Sequence, residues 1–283
     1  MQARTRQYTA KKSLSTALLE SAKRGYYWLR RIRFWRQWWL GLVFDVFHGE
    51  YCTEGMRFQV PKWLMRRAHR ARFLLDTHER DERDLVKRWL PADAVVLELG
   101  ACLGVVSCVI NRRLTVPAHH VAVEPNPQLQ AVLLANRDTN GCAFGISDAL
   151  VSRSSDGTFY LSEAIVMSSA DQATGKPIQV PVTTVEVLEE KYSLRFNAIF
   201  MDIQGGELGF MRENPALLAR CQCIILEFHP HIIGELACTE CRTLMLAAGL
   251  AMVEKRGIVE AWACRRSGDR PVAGHAGAIE VIR

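Results

Sequence analysis

The feature that most constrains this chain is an alternation, from Asp93 onward, of short apolar runs with segments of helical periodicity. The runs Ala94–Leu99 and His120–Glu124 have the length of strands. Helical patterns over Val105–Leu114 and Pro127–Asp138 follow them. Strands that alternate with helices build βα units around a mostly parallel sheet. The order therefore predicts an α/β fold.

The same alternation continues towards the C-terminus. Two more strands are predicted at Phe196–Asp202 and Cys223–Phe228, with helices over Glu207–Ala219 and Gly234–Ala248. Two further apolar runs joined at Arg256-Gly257 predict a closing hairpin, Leu250–Glu254 with Ile258–Ala263. The stretch 152–181 is rich in Ser, Thr, Gly and Asp, which favours loops and short antiparallel strands.

Residues 1–89 form a separate lead segment, predicted to be mainly helical, before a domain over 90–265 and a tail over 266–283. The net charge of +6 is concentrated in this lead segment. Within 24–47, aromatic side chains interleave with arginines, a pattern typical of a helix on an anionic membrane surface. A helix packed on the main domain, with its arginines solvated, explains the pattern equally well. A nucleic-acid partner is not expected, because no recognisable DNA or RNA module accompanies the pattern.

The nine cysteines are irregularly spaced, and several lie in apolar runs, which favours reduced thiols in a cytoplasmic protein over a disulfide framework. Cys221 and Cys223, with Cys238 and Cys241, have ligand-like spacing for zinc. However, the first pair lies where a strand begins and the second pair within a helix. No metal site is predicted. No signal peptide or membrane-spanning run is expected either.

A glycine-bearing turn and an acid suggest a nucleotide-type cofactor. Gly100 and Gly104 follow the first predicted strand, where glycine permits close approach of a ligand to the backbone. Glu124 ends the next strand, where such folds present a carboxylate to ribose hydroxyls. A nicotinamide cofactor calls for Gly-x-Gly-x-x-Gly at the pyrophosphate. The pair here is Gly-xxx-Gly, which favours a cofactor without phosphates.

The motifs, taken in order, resemble those of the FkbM family of S-adenosylmethionine-dependent O-methyltransferases. The resemblance covers about residues 75–255. The matching segments are Glu98–Gly104, Glu124-Pro125-Asn126-Pro127, the pair Asn136 and Asn140, Val180–Leu188, Asp202–Glu207 and Ile225–Pro230. The sequence departs from the family pattern at Glu98, Cys102 and Gln204, where the family has Asp, Asn and Glu.

The resemblance implies a class I, Rossmann-like methyltransferase fold with a mostly parallel seven-stranded sheet, and S-adenosyl-L-methionine as the cofactor. Glu98, Gly100, Ala101 and Gly104 would frame the methionine end of the cofactor, with Glu98 holding its amino group directly or through water. Glu124 would accept hydrogen bonds from the ribose. Asn126 would flank the adenosine, and Asp148 would accept from the adenine amino group.

Transfer to a hydroxyl needs a group that takes the proton of the acceptor. Asp202 follows an apolar run and should emerge at the carboxyl edge of the sheet, where ligands bind. Capping of the next helix is its alternative role. His229 and His231 follow another strand and are candidate bases, although histidines in such places are often structural. The Asn/Asp-Pro-Pro-aromatic motif of amino-group methyltransferases is absent, which favours an oxygen acceptor.

The sequence therefore predicts an O-methyltransferase acting on a hydroxyl of a sugar, a glycolipid or another small molecule, with the resemblance as the only warrant for that substrate class. If the acceptor is a glycolipid, the lead segment would hold the enzyme at the membrane surface, where such substrates reside. Two alternatives remain: an adaptor that keeps the fold but has lost transfer, suggested by Cys102 and Gln204, and a nicotinamide-dependent oxidoreductase.

Overall fold

The structure is a computed structural model that describes residues 28, 31–32, 34–46, 49–161 and 175–264. The remainder of the predicted surface helix within 24–47 and the predicted tail over 266–283 lie outside the described residues. The strands are β1 Glu50–Thr53, β2 Met56–Gln59, β3 Val96–Leu99, β4 His120–Val123, β5 Gly145–Ser147, β6 Leu150–Val151, β7 Thr158–Leu161, β8 Lys176–Gln179, β9 Val182–Thr183, β10 Ala198–Met201, β11 Cys223–Glu227, β12 Leu250–Arg256 and β13 Val259–Cys264.

The helices pack around these strands, and the first is α1, described over 34–46 with 28, 31 and 32 also helical. The others are α2 Arg67–Leu74, α3 Arg80–Trp89, α4 Val105–Arg113, α5 Pro127–Thr139, α6 Val185–Tyr192, α7 Glu207–Glu213, α8 Pro215–Leu218 and α9 Pro230–Ala247.

Seven strands form the central sheet, in the order β12-β13-β11-β10-β3-β4-β5. The five strands from β11 to β5 pair in parallel, and β13 runs antiparallel to both of its neighbours. The strands β3, β4 and β10 are buried along their whole length, which explains why most of their residues are apolar. The predicted α/β fold with a mostly parallel seven-stranded sheet is confirmed.

The helix predicted over Glu207–Ala219 is divided in two. Helix α7 ends at Glu213 and α8 begins at Pro215, with Asn214 between them in a non-helical conformation. Proline disfavours helical geometry in the residue before it, and its ring cannot continue the preceding helix. The predicted continuous helix was therefore wrong at this point.

Residues 49–89 pack against the main sheet. They contain the β1–β2 hairpin, which the prediction of a mainly helical segment did not include. Asn136, on α5, accepts from the backbone N–H of Gln59 at 2.7 Å and donates to the carbonyl of Leu103 at 2.9 Å. Asn140 binds the backbone of Arg57 in the same way. The two asparagines thus tie the hairpin to the helix behind the glycine turn.

Helix α3, also in the lead segment, is bonded to the last hairpin of the sheet. Glu254 accepts from Arg88 at 3.0 Å and from the indole of Trp89 at 2.8 Å. Arg256 forms an ion pair with Asp84 at 2.7 Å. Side-chain contacts therefore join α3 to a hairpin that lies more than 160 residues later in the chain.

Candidate active site

One cavity, of about 1120 Å³, opens at the carboxyl edge of the parallel strands. Gly100 follows β3, Glu124 follows β4 and Asp202 follows β10, and all three line it. Glu227, the last residue of β11, and His229 lie on the same wall. Ligands of open α/β sheets bind at this edge, where the strand order reverses. The volume suits a nucleoside-sized cofactor together with a second molecule.

The turn after β3 requires glycine at its first position. Gly100 has a φ of +86°, which side-chain-bearing residues seldom adopt. A Cβ there would also lie 1.9 Å from the backbone oxygen of Asp202. Cys102 has a φ of +48°, a conformation that asparagine tolerates better than most residues. Cys102, which stands where the family has asparagine, therefore occupies a strained backbone conformation.

Glu124 is the carboxylate best placed for a ligand. It is 6% exposed, and one of its oxygens accepts from the backbone N–H of Cys102 at 2.8 Å while the other accepts from that of Asn126 at 2.9 Å. Burial raises the pKa of Glu124 to about 7, although the two backbone hydrogen bonds act to lower it. Each oxygen retains accepting capacity, so the carboxylate can receive two hydroxyl groups.

Glu98 does not reach the cavity. It is fully buried, its carboxylate accepts from the hydroxyl of Ser107 at 2.9 Å, and it is 2.9 Å from Nε2 of His120. Its carboxylate is therefore occupied by these two partners, and a hold on the cofactor amino group, directly or through water, stays a prediction. The physical reason for its burial is that Glu98 lies within β3 and pairs with a histidine of the neighbouring strand, below the edge where the cavity opens.

Other predicted cofactor residues lie beside the cavity instead of lining it. The Asn126 side chain caps α5 by accepting from the backbone N–H of Gln128, and its Nδ2 has no hydrogen-bond partner among the described residues. Ala101 is buried, and Gly104 begins α4 with a φ of +80°. Asp148 follows β5, as predicted, but its side chain is exposed to solvent outside the cavity lining.

The predicted catalytic residues meet at one end of the cavity. His229 Nε2 is 3.5 Å from Oδ1 of Asp202 and 3.7 Å from Oε1 of Glu227. Its other ring nitrogen, Nδ1, lies 2.7 Å from Oε1 of Glu207, which is fully buried. His231 is exposed and lines the same cavity, with its ring centroid 5.9 Å from that of His229.

These groups are electrostatically perturbed. Burial raises the pKa of Asp202 to about 7, with Glu79 and Glu82 adding to the rise and His229 opposing it. Burial likewise raises the pKa of Glu227 to about 10, and the charge of Asp202 contributes. Burial acts to lower the pKa of His229, but the hydrogen bond with Glu207 and the nearby carboxylates raise it overall. Such perturbation is typical of functional sites.

Nine cavity residues come from the lead segment, where the sequence did not suggest a site, among them His78, Glu79 and Glu82. His78, Glu79 and Glu82, at the start of α3, face the carboxyl end of β11. Acids at the start of a helix are ordinarily explained by the helix dipole, so the sequence gives no signal for a site there. Only the packing of α3 on the sheet, which no local pattern encodes, brings them to the cavity.

The topology and the cavity define a class I, Rossmann-like methyltransferase. The model of the methyltransferase FkbM domain matches residues 98–249, which is more than half of the chain. The chain therefore belongs to the FkbM methyltransferase family. Its methyl donor is S-adenosyl-L-methionine. A comparison with curated proteins returned no significant match.

Several solved structures are similar at low sequence identity. A ribosomal protein L11 methylase from Lactobacillus delbrueckii subsp. bulgaricus is 11% identical, with 67% of this chain and 79% of that one covered and a TM-score of 0.40. Cofactor-bound Rv0187 from MTB is 13% identical, with 65% and 79% covered and a TM-score of 0.42. A putative O-methyltransferase from Klebsiella pneumoniae is 14% identical, with 66% and 81% covered and a TM-score of 0.38.

Proposed function

We propose that this protein transfers a methyl group from S-adenosyl-L-methionine to a hydroxyl oxygen. The observation that carries the proposal is the meeting of Asp202, Glu227 and His229 at one end of a cavity that Glu124 lines further along. A hydroxyl is a poor nucleophile until its proton is removed. Asp202, whose pKa is about 7, can accept that proton, and it lies beside Glu227 and His229 in the cavity.

The residues of the cavity fit the cofactor. Glu124 receives the ribose hydroxyls, because its buried carboxylate has accepting capacity left and opens into the cavity. Gly100 and Cys102 line the same cavity, and Gly100 has no side chain to obstruct a ligand. When bound, the cofactor supplies an electrophilic methyl group on a positively charged sulfur. The ionised carboxylate of Asp202 provides a favourable environment for that charge.

The acceptor is a sugar, a glycolipid or a similar hydroxyl-bearing small molecule. The cavity lining includes side chains that can hydrogen-bond to hydroxyl groups, among them Ser152, Ser154 and Tyr160. Arg72 and Arg80 also line the cavity and can bind an anionic group of the acceptor. The resemblance of the motifs to O-methyltransferases supports the same class.

The test is transfer of an isotope-labelled methyl group from S-adenosylmethionine to a panel of sugars, sugar phosphates and glycolipids. We expect a product whose label resists conditions that cleave methyl esters, since an ether is formed. Cofactor binding with no transfer to any acceptor would favour the adaptor. Binding of a nicotinamide dinucleotide without S-adenosylhomocysteine binding would favour the oxidoreductase.

Affinity for the cofactor should depend on pH through Glu124. In the free protein burial raises its pKa to about 7, whereas ribose hydroxyls donating to the carboxylate favour its ionised form. Binding therefore releases a proton near neutral pH, and S-adenosylhomocysteine affinity should rise from pH 6 to pH 8 and then level off. Calorimetry in buffers of different ionisation enthalpy measures this proton. A constant affinity over that range would contradict the assignment.

We further propose that α1 holds the enzyme against an anionic membrane surface. One face of α1 is packed on the protein: Gly41 and Phe44 are buried, and Asp45 pairs with Arg70 at 2.6 Å. The opposite face is apolar and 41% to 67% exposed, and its members recur every three or four residues: Trp28, Ile32, Trp35, Trp39, Val43 and Val46. The exposed Arg31 and Arg36 supply positive charge beside it.

Exposed tryptophans next to arginines suit the boundary between lipid headgroups and acyl chains. None of the described helices is long and apolar enough to cross a bilayer. The two explanations of the lead segment are thus compatible, because α1 packs on the domain with one face and leaves the other face free for lipid.

Replacing Trp35 and Trp39 together by serine should lower binding to vesicles of anionic phospholipid by about tenfold or more, because two interfacial anchors are lost. Vesicle sedimentation measures the bound fraction. The control is Leu236→Ser, which removes an apolar side chain that is 89% exposed on α9. If the double variant bound the vesicles as well as the wild type, the membrane proposal would be wrong. A dimer in solution that the double variant converts to monomer would assign the face to a second copy of the chain instead.

A further inference from the structure

Asp202, Glu227 and His229 are arranged as a set of metal ligands. They follow or end two adjacent parallel strands, β10 and β11, in which Met201 pairs with Leu226, so that Asp202 and Glu227 come next on each strand. Each side chain offers one ligand atom, and the three atoms all lie within 4.8 Å of one another. Atoms bound to one cation at about 2.1 Å in octahedral geometry are separated by about 3 to 4 Å. The spacing therefore leaves room for an ion between them.

The orientation of His229 supports this arrangement independently of the acids. Its Nδ1 faces the fully buried carboxylate of Glu207 at 2.7 Å, so Nδ1 carries the proton and donates it. Nε2 is thereby directed at Asp202 and Glu227. A histidine that binds a metal through one nitrogen usually donates the other N–H to a carboxylate in this manner.

The distances from Nε2 to the two carboxylates are not those of hydrogen bonds. They are 3.5 Å to Asp202 and 3.7 Å to Glu227, whereas a charged N–H···O⁻ bond is about 2.7 to 2.9 Å long. The histidine thus faces two carboxylates without bonding closely to either. An ion coordinated by all three groups satisfies this geometry directly.

Further acidic side chains surround the three residues. Glu82 is within hydrogen-bonding reach of Glu227, and Glu207 lies behind His229. A divalent cation held by Asp202, Glu227 and His229 would be attracted by these acids as well.

We propose that Asp202, Glu227 and His229 bind one divalent cation of the kind that accepts mixed carboxylate and imidazole ligands, such as Mn²⁺. Three protein ligands leave open positions, which two neighbouring oxygens of an acceptor can fill. The acceptor is therefore a compound with adjacent hydroxyl groups, as in many sugars. A hydroxyl held by a divalent cation loses its proton more readily, so this inference rests on the O-methylation proposed above and names its substrate class.

The test is titration of the full chain with Mn²⁺ alone, in which electron paramagnetic resonance counts the free ion. We expect one equivalent to bind, and Asp202→Asn and Glu227→Gln each to weaken binding by about tenfold or more. Asp156→Asn is the matched control, because it removes a carboxylate of the same cavity outside the ligand set. S-adenosylhomocysteine binding and melting temperature, measured for every variant, show that the fold is kept.

Absence of Mn²⁺ binding, or equal binding by the wild type and both ligand variants, would overturn the proposal. Glu207→Gln provides a further check, since loss of the orienting carboxylate should also weaken Mn²⁺ binding while the ligands remain. Methyl transfer that continues in a chelator would disprove the cation site and leave O-methylation intact. Mn²⁺ binding as expected, without transfer to any hydroxyl, would support the site and contradict O-methylation.

Discussion

Glu124→Gln should weaken S-adenosylhomocysteine binding by about 100-fold, or about 3 kcal/mol. Each oxygen of Glu124 accepts from a backbone N–H, one from Cys102 and one from Asn126. Whichever way the glutamine amide turns, its NH₂ group meets one of these donors, and a buried N–H loses its acceptor. The ribose hydroxyls also lose an ionised partner. Isothermal calorimetry at pH 8 measures the change.

Two further variants show whether the effect is specific to Glu124. Glu190→Gln removes an exposed carboxylate on α6 and should change the affinity less than twofold. Asp148→Asn tests the adenine contact that the resemblance implied. The exposed position of Asp148 outside the cavity lining leads us to expect little effect. Wild-type affinity in Glu124→Gln would mean that the cofactor binds elsewhere in the cavity.

Gly100→Ala should destabilise the protein by about 3 to 5 kcal/mol. A positive φ costs an alanine about 1 to 2 kcal/mol, and the new Cβ would lie 1.9 Å from the backbone oxygen of Asp202, so β3 and β10 must separate at their carboxyl ends. The same shift displaces Asp202 from His229. Chemical denaturation measures the free energy of unfolding, and the melting temperature should fall by about 10 °C.

Gly141→Ala separates the two contributions. Gly141 has a φ of +61°, and a Cβ there would meet no atom within 4 Å. This variant should therefore lose only the conformational part, about 1 kcal/mol. Equal losses in the two variants would show that the close approach of Gly100 to Asp202 contributes nothing to stability.

Much of the sheet could be predicted because its central strands are buried on both faces. Such strands appear in the sequence as uninterrupted apolar runs, as in Ala198–Met201. The position of Glu124 was predictable from the same pattern. It is the first charged residue after the buried strand β4, and a charged side chain there is expected at the edge of the sheet. The hydrophobic pattern thus predicted both the strand β4 and the cavity residue Glu124 that follows it.

The position of Glu98 could not be predicted in this way. It resembles Glu124 in being an acid at the end of an apolar run, yet it remains inside the sheet because His120 and Ser107 satisfy its carboxylate there. His120 comes from the neighbouring strand and Ser107 from the next helix. Their proximity depends on strand register and helix packing, neither of which a local sequence pattern specifies.

The ion pairs between α3 and the β12–β13 hairpin have a consequence for how the molecule is assembled during synthesis. Arg88 and Asp84 find their partners, Glu254 and Arg256, more than 160 residues later in the chain. Contacts of such long range form late, because a long loop must close first. The ion pairs that join α3 to the hairpin therefore cannot form on the ribosome until β12 has emerged. A nascent chain that ends at residue 249, where the family match stops, would lack this support.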